Sequence, residues 1–305
     1  GAEQKKTLQA FERGSKCESC FPVGRSSEEH DMGEFIKALS PDAVFNDRSV
    51  IHPKEIDVYV PSKSCGFEYC GLYYHSDAAP EPKAKNYHLS KYVCSAEKGV
   101  DLVQFFNDEW KYKREICQSM IKHRLGVTPR RIAARSCKVK EVDWSIASEF
   151  FDRTHISGAV HAKCYLALYH GDEIVAMLSL KNPIQKRTYP NSVEIARFST
   201  SIDTHVNGGL QRLLKHARSW ALKQGYENII TYVDRRFGHG RGYEKVGFVR
   251  IGDTGISYEY TDCNLRYDRF KYRRRNGKSE REIASESGVC RVYGCGSWIY
   301  SLSLK

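Results

Sequence analysis

Long apolar runs are missing from this chain. No stretch of eighteen consecutive apolar residues occurs, and a membrane-spanning helix needs about twenty, so no transmembrane helix is expected. The opening residues, GAEQKKTLQAFERG, lack the apolar segment of a secretory signal, which points to a cytoplasmic location. Internal repeats and low-complexity linkers are absent too, and with 41% hydrophobic and 28% charged residues the composition is that of a globular protein. A second C-x-x-C is also lacking around Cys17 and Cys20 (KCESCFP). One such pair supplies two of the four ligands of a tetrahedral Zn²⁺. Its other half would lie upstream, or the site has decayed, or these are two ordinary thiols.

What the chain does have is length, cationic charge and thiols. Its 305 residues are enough for two domains with separate cores. The net charge is +11, from 48 Lys+Arg against 37 Asp+Glu. No basic amphipathic helix stands out, so the surplus favours nucleic acid over a membrane as the polyanionic partner. Eleven cysteines without a signal sequence suit a reducing compartment rather than a disulfide framework.

The segment EIDVYVPSKSCGFEYCGLYYHSD, residues 55–77, concentrates chemistry. Ile56, Val58 and Val60 alternate with Asp57 and Tyr59, so a strand would send Asp57 to the face opposite the aliphatic residues. Glu68 lies on the next expected strand, and His75 ends an aromatic run. Two carboxylates on neighbouring strands can hold a hard cation such as Mg²⁺, which can activate water against a phosphodiester. His75 is placed to move a proton. Upstream, residues 26–39 read as an amphipathic helix with Met32, Phe35, Ile36 and Leu39 on one stripe. Ser26 and Glu29 match a capping box there, and Glu29 stands equally well as a site acid beside the buried stripe.

Farther on, the patterns predict a helix from Tyr87 to Lys98 carrying Lys91, a buried strand DLVQFF, and a long basic helix capped by Asp108 and ended by Gly126. After a joining segment, DWSIASEFFDRTH reads as a helix and CYLALYHGDEIVAMLSL as a hairpin turning at residues 170–173. SVEIARFSTS is a strand, GGLQRLLKHARSWALKQG an amphipathic helix, and NIITYV a further strand. RYDRFKYRRRNGKSER interleaves aromatic and basic residues, including Arg273, Arg274 and Arg275, which suits phosphate contacts. The expected fold class is α/β with two α/β domains, residues 26–126 and 127–262. Residues 1–25 are a zinc-ribbon-like remnant, and a basic extension, 263–305, docks on the second domain.

The blocks SSEEHDMGEFI, EIDVYVP, FEYCGLYYHSD and LVQFFNDEW resemble the very-short-patch-repair type of nuclease domain found in phage homing endonucleases, a branch of the PD-(D/E)xK superfamily. That resemblance implies a Mg²⁺-dependent endonuclease acting on double-stranded DNA, in the cytoplasm of an infected host. Asp57 and Glu68 would be the metal ligands, His75, Glu29 and Lys91 further catalytic residues, and Lys85 a phosphate contact. Cys17 and Cys20 would be the last knuckle of a zinc ribbon. Cys70 departs from the pattern, standing where the superfamily carries lysine. The second half is similar to the GNAT acyltransferase fold, and YVDRRFGHGRGYEKVGF, with His239, to its Mom-like branch, which implies transfer to a DNA base as the alternative. There THVNGGLQR replaces the usual R/Q-x-x-G-x-G loop. A DNA-binding protein with a degenerate nuclease site is a third reading. The oligomeric state is left open.

Overall fold

The computed structural model describes residues 26–305. Cys17 and Cys20 lie outside the described residues. The first unit opens on α1 (Ser27–Leu39), where the Ser26 hydroxyl accepts the Glu29 N–H at 3.0 Å. Met32 and Ile36 face inward from it, and Gly33 lets the Phe45 ring approach, since a Cβ there would strike that ring. Then come β1 (Val44–Asp47), β2 (Ile56–Val60), β3 (Cys65–Cys70), α2 (Tyr87–Glu97) and β4 (Asp101–Phe106). The sheet order is β1-β2-β3-β4, antiparallel except for the parallel β3–β4 pair that α2 connects. β2 alternates as its sequence predicts, with Asp57 half-buried between buried aliphatic residues. β3 does not: every residue from Cys65 to Cys70 is buried. It is central, with a strand on each side and packing on both faces, so Glu68 goes inside with Phe67.

The expected long basic helix divides into α3 (Asn107–Tyr112) and α4 (Arg114–Leu125) at Lys113. Trp110 and Ile121 bury themselves with Met32, Phe67 and Phe105 in the core of this unit.

The second unit runs β5 (Arg130–Ala133), β6 (Lys138–Val142), α5 (Trp144–Thr154), β7 (Cys164–His170), β8 (Glu173–Lys181), β9 (Ser192–Thr200), β10 (Thr204–Asn207), α6 (Gly209–Lys223), β11 (Asn228–Asp234), α7 (Arg241–Glu244) and β12 (Val249–Asp253). It continues with β13 (Tyr258–Thr261), β14 (Arg266–Tyr267), α8 (Glu280–Glu286), β15 (Cys290–Tyr293) and β16 (Ser297–Ser303). The main sheet has the order β12-β16-β11-β9-β8-β7-β6. Leu166 and Leu168 of β7 pack with the α6 stripe Leu213, Leu214, Ala217 and Ala221, while Tyr165 and Ala167 pack with Phe151 of α5. The two helices therefore cover opposite faces of one sheet. β16 lies inside that sheet, between β11 and β12. The segment after residue 262 is thus partly an integral strand of the second unit rather than only an appended extension. The chain is mixed α/β throughout, and no helix among the described residues is long and apolar enough to cross a membrane.

The units are joined by buried charge. Glu109 of α3 accepts from Arg236 and from Arg266, and Asp108 accepts from Arg266.

Candidate functional site

Strands β2 and β3 place Asp57 and Glu68 side by side. Asp57 Oδ2 accepts the Tyr69 N–H at 2.7 Å, and Glu68 lies 2% exposed with its Oε1 3.4 Å from the Asp57 N–H. Lys91, from α2, ends on Glu68 Oε2 in a direct ion pair with both side chains buried. Burial, joined by repulsion from Asp57, pushes the Glu68 carboxyl up to about 8 against the pull of Lys91. Burial acts to lower Lys91, but the two carboxylates outweigh it and hold the ammonium above the ordinary lysine range. Cys70 is buried at the end of β3, its thiol pushed well up by desolvation. His75 does not reach toward the carboxylates. Its Nδ1 is 3.1 Å from His88 Nε2. On α1 it is Glu28 that takes the Tyr69 hydroxyl at 2.6 Å, while the Glu29 N–H is the one capped by Ser26. Lys85, Arg273, Arg274 and Arg275 are all exposed, with Arg273 stacked 4.0 Å over Phe270.

A second site lies in the main sheet. β9 and β11 run parallel and pair only from Ser192↔Asn228 to Ile195↔Thr231. Beyond that rung β9 continues on β8 as far as Thr200, and β11 continues on β16 as far as Asp234. The two strands fork. A β-bulge in the β8–β9 ladder falls at the same level, between Ser179 and Leu180, and bulges bend the strand that carries them. Burial changes at that rung on both strands: Ser192–Ile195 and Ile229–Thr231 are buried, whereas 196–200 and 232–234 are half-buried. The inner edges past the fork carry backbone N–H and C=O groups outside the sheet's own pairing.

A cavity of about 720 Å³ fills the fork, floored by Leu210 of α6 and walled from the first unit by Met120, His123 and Arg124. His239 faces it, with Nε2 3.1 Å from Asp101 Oδ1 and Nδ1 bonded to the Tyr92 hydroxyl. The side-chain bond from His239 is the leading influence that keeps the Asp101 carboxyl low. His155 also lines the cavity, and burial drives it down to about 3.

α6 begins at the mouth of the fork. Gly208 precedes it at φ +75°, a left-handed conformation that suits glycine. Arg212 makes the first backbone bond of the helix, to the Gly208 carbonyl, so the N–H groups of Gly209, Leu210 and Gln211 have no partner within the helix. An open groove of about 860 Å³ beside this turn is lined by Arg135, Arg212, Lys215 and Arg218. No carboxylate pairs with these four among the described residues. None of them was singled out by sequence. THVNGGLQR marked the place, but the fork and the groove depend on strand pairing that local pattern does not contain.

No protein-family model matches the chain, and no curated protein does. Solved structures similar to it include the ribosomal-protein-S18-alanine N-acetyltransferase from Escherichia coli, at 13% identity over 55% of this chain and 94% of that one, with a TM-score of 0.37. A GNAT family acetyltransferase from Elizabethkingia anophelis with acetyl-CoA bound matches at 13% identity over 55% of this chain and 98% of that one, TM-score 0.35. A Bacillus subtilis acetyltransferase in complex with CoA matches at 16% identity over the same shares, TM-score 0.35.

The expectation of a DNA endonuclease, and with it of a homing-type hydrolase, is corrected here. The three solved structures named above are acetyltransferases, each matched over 55% of this chain. Within the first site, Lys91 is committed to neutralising Glu68, and position 70 offers a neutral thiol where a cation was needed to offset phosphate charge.

Proposed function

We propose that the chain is an acyl-CoA-dependent transferase that moves an acyl group from a thioester to an amine. The single observation that carries this reading is the fork between β9 and β11, opening onto the N-terminus of α6. A linear ligand with amide groups can pair with the inner strand edges past the fork, as an added strand pairs with a sheet edge. Its phosphates then meet the free N–H groups and positive end of α6. The cationic groove fits the same ligand, since Arg135, Arg212, Lys215 and Arg218 face phosphate without competing carboxylates. CoA would supply the activated acyl group. This chain's own residues bind its phosphates, hold its amide arm in extended form and exclude water from the cavity.

Acyl transfer to an amine requires that the amine lose a proton. We assign His239 to that step: Asp101 holds Nε2–H and stabilises the imidazolium, and Nδ1 takes the amine proton in exchange for its bond to the Tyr92 hydroxyl. The net charge of +11 and the exposed Arg273–Arg275 run favour DNA as the polymer that carries the acceptor amine. The test is transfer of labelled acetyl groups from acetyl-CoA to duplex DNA, with free amines as the comparison. Label on DNA that falls in His239→Gln supports the proposal. Label on neither acceptor, with enzyme shown to be folded, refutes it.

A further inference from the structure

The first unit holds a cluster that the transferase reading does not use. Cys70 ends β3, His75 sits in the turn after it, and His88 is the second residue of α2. One donor atom from each lies within 4.8 Å of the other two. His75 Nδ1 and His88 Nε2, the two nitrogens that would meet one ion, are 3.1 Å apart, and Cys70 Sγ lies 3.7 Å from the other nitrogen of the same ring, His88 Nδ1. Ligands on one tetrahedral metal with bonds of about 2.0–2.3 Å stand roughly 3.3–3.8 Å apart.

The surroundings set the chemistry of His88. Gln104 is wholly buried, and its Nε2 donates to the His88 carbonyl at 3.1 Å, which turns its Oε1 toward His88 Nδ1 at 2.8 Å. Nδ1 therefore carries the proton, and the Nε2 lone pair is aimed at His75. An outer group that fixes a histidine tautomer in this way is the usual partner of a metal-ligating imidazole.

We propose that Cys70, His75 and His88 form a transition-metal site that takes Zn²⁺ and leaves one coordination position open beside half-exposed His75. A thiolate and two imidazoles select a borderline-soft ion over Mg²⁺. This donor set is distinct from Asp57 and Glu68, whose acids are bonded to Tyr69 and Lys91. Binding exchanges the thiol proton for the metal: a metal–sulfur bond forms, the S–H bond breaks, and one proton passes to solvent.

The experiment titrates the full chain with Co²⁺, in a Cys17→Ser/Cys20→Ser background that removes the other thiol pair. The expected result is one equivalent of Co²⁺ bound with a thiolate-to-cobalt absorption band, displaced by Zn²⁺. Cys70→Ser should abolish the band. No uptake by the background chain, or a band that survives Cys70→Ser, overturns the proposal. Should Cys70→Ser fail to fold, His75→Ala serves, since that side chain is half-exposed. It should keep the band and weaken Co²⁺ binding by at least the roughly tenfold that loss of an outer-shell group alone costs. Unchanged affinity overturns the proposal equally.

Discussion

Replacing Glu109 with alanine should separate the two units of this protein. Glu109 is 4% exposed and accepts from Arg236 Nη1 at 3.0 and 2.9 Å, from Arg266 Nη2 at 2.7 Å and from the Phe106 N–H at 2.9 Å. Without it Arg236 keeps, among the described residues, the partly exposed Asp234 as its ion-pair partner, while Arg266 keeps Asp108 and Glu259. The variant leaves a buried guanidinium undercompensated, and removing one member of a buried pair costs about 3–5 kcal/mol. With a urea dependence of about 2–3 kcal/mol per molar, the midpoint should fall by on the order of 1–2 M. Because Glu109 and Arg236 belong to different units, the single transition should resolve into two. An exposed pair gives the scale: Glu55→Ala, which breaks the contact with Arg48, should cost less than about 1 kcal/mol.

The pH dependence follows from the same residue. Burial pushes the Glu109 carboxyl up, but Arg236 and Arg266 outweigh it and hold it below the ordinary glutamate value. A depressed carboxyl stabilises the fold above its unfolded pKa, about 4.3, and that contribution is lost as pH falls through the folded value. Glu109→Gln should therefore flatten the acid limb of stability against pH. A loss below about 1 kcal/mol in Glu109→Ala, with a single transition retained, would refute the reasoning.

Glu68 has the opposite sign. Its carboxyl is raised to about 8, so the stability it contributes is full below the unfolded value and declines as pH rises toward 8. Glu68→Gln should remove that decline in thermal melts between pH 5 and 8, at about 1.4 kcal/mol per pH unit at most; a variant whose melts track the wild type across that range would contradict it. Lys91→Met should be destabilised most above pH 8, where Glu68 is left charged and buried, and recover on acidification. Changing Arg273, Arg274 and Arg275 together to alanine should weaken duplex DNA binding similarly for any sequence and reduce the salt slope by up to about 3 in a fluorescence-anisotropy titration. An unchanged slope would place the DNA contacts elsewhere.

Much of the fold was legible because local pattern and tertiary position agree in it. The α1 stripe, the alternation of β2, the hairpin of β7 and β8 and the α6 stripe all appear where periodicity places them. The pattern failed where non-local pairing decides. β1, β6 and β10 are short strands of four or five residues fixed by their neighbours rather than by strong alternation. β16 enters the middle of a sheet, between β11 and β12, and nothing local in its sequence says so.

Site residues divide along the same line. Asp57, Glu68 and Lys91 do converge, yet their convergence makes an internal ion pair, because β3 is covered on both faces and desolvation demands a counter-charge for Glu68. His88 and Gln104 are not marked in the sequence, since a histidine and a glutamine in separate elements carry no spacing signal. The fork arises from where one pairing ends, between Ile195 and Thr231, which is a property of two strands jointly.

The central claim is that this fork and the first turn of α6 bind CoA. Calorimetric titration with acetyl-CoA, set beside Arg212→Glu/Arg218→Glu and beside pantetheine, tests it most directly. The account predicts saturable binding of acetyl-CoA that weakens at least tenfold in the charge-reversed variant, while binding of the phosphate-free pantetheine is unchanged. No binding of acetyl-CoA at millimolar concentration, or equal binding by wild type and variant, would contradict it.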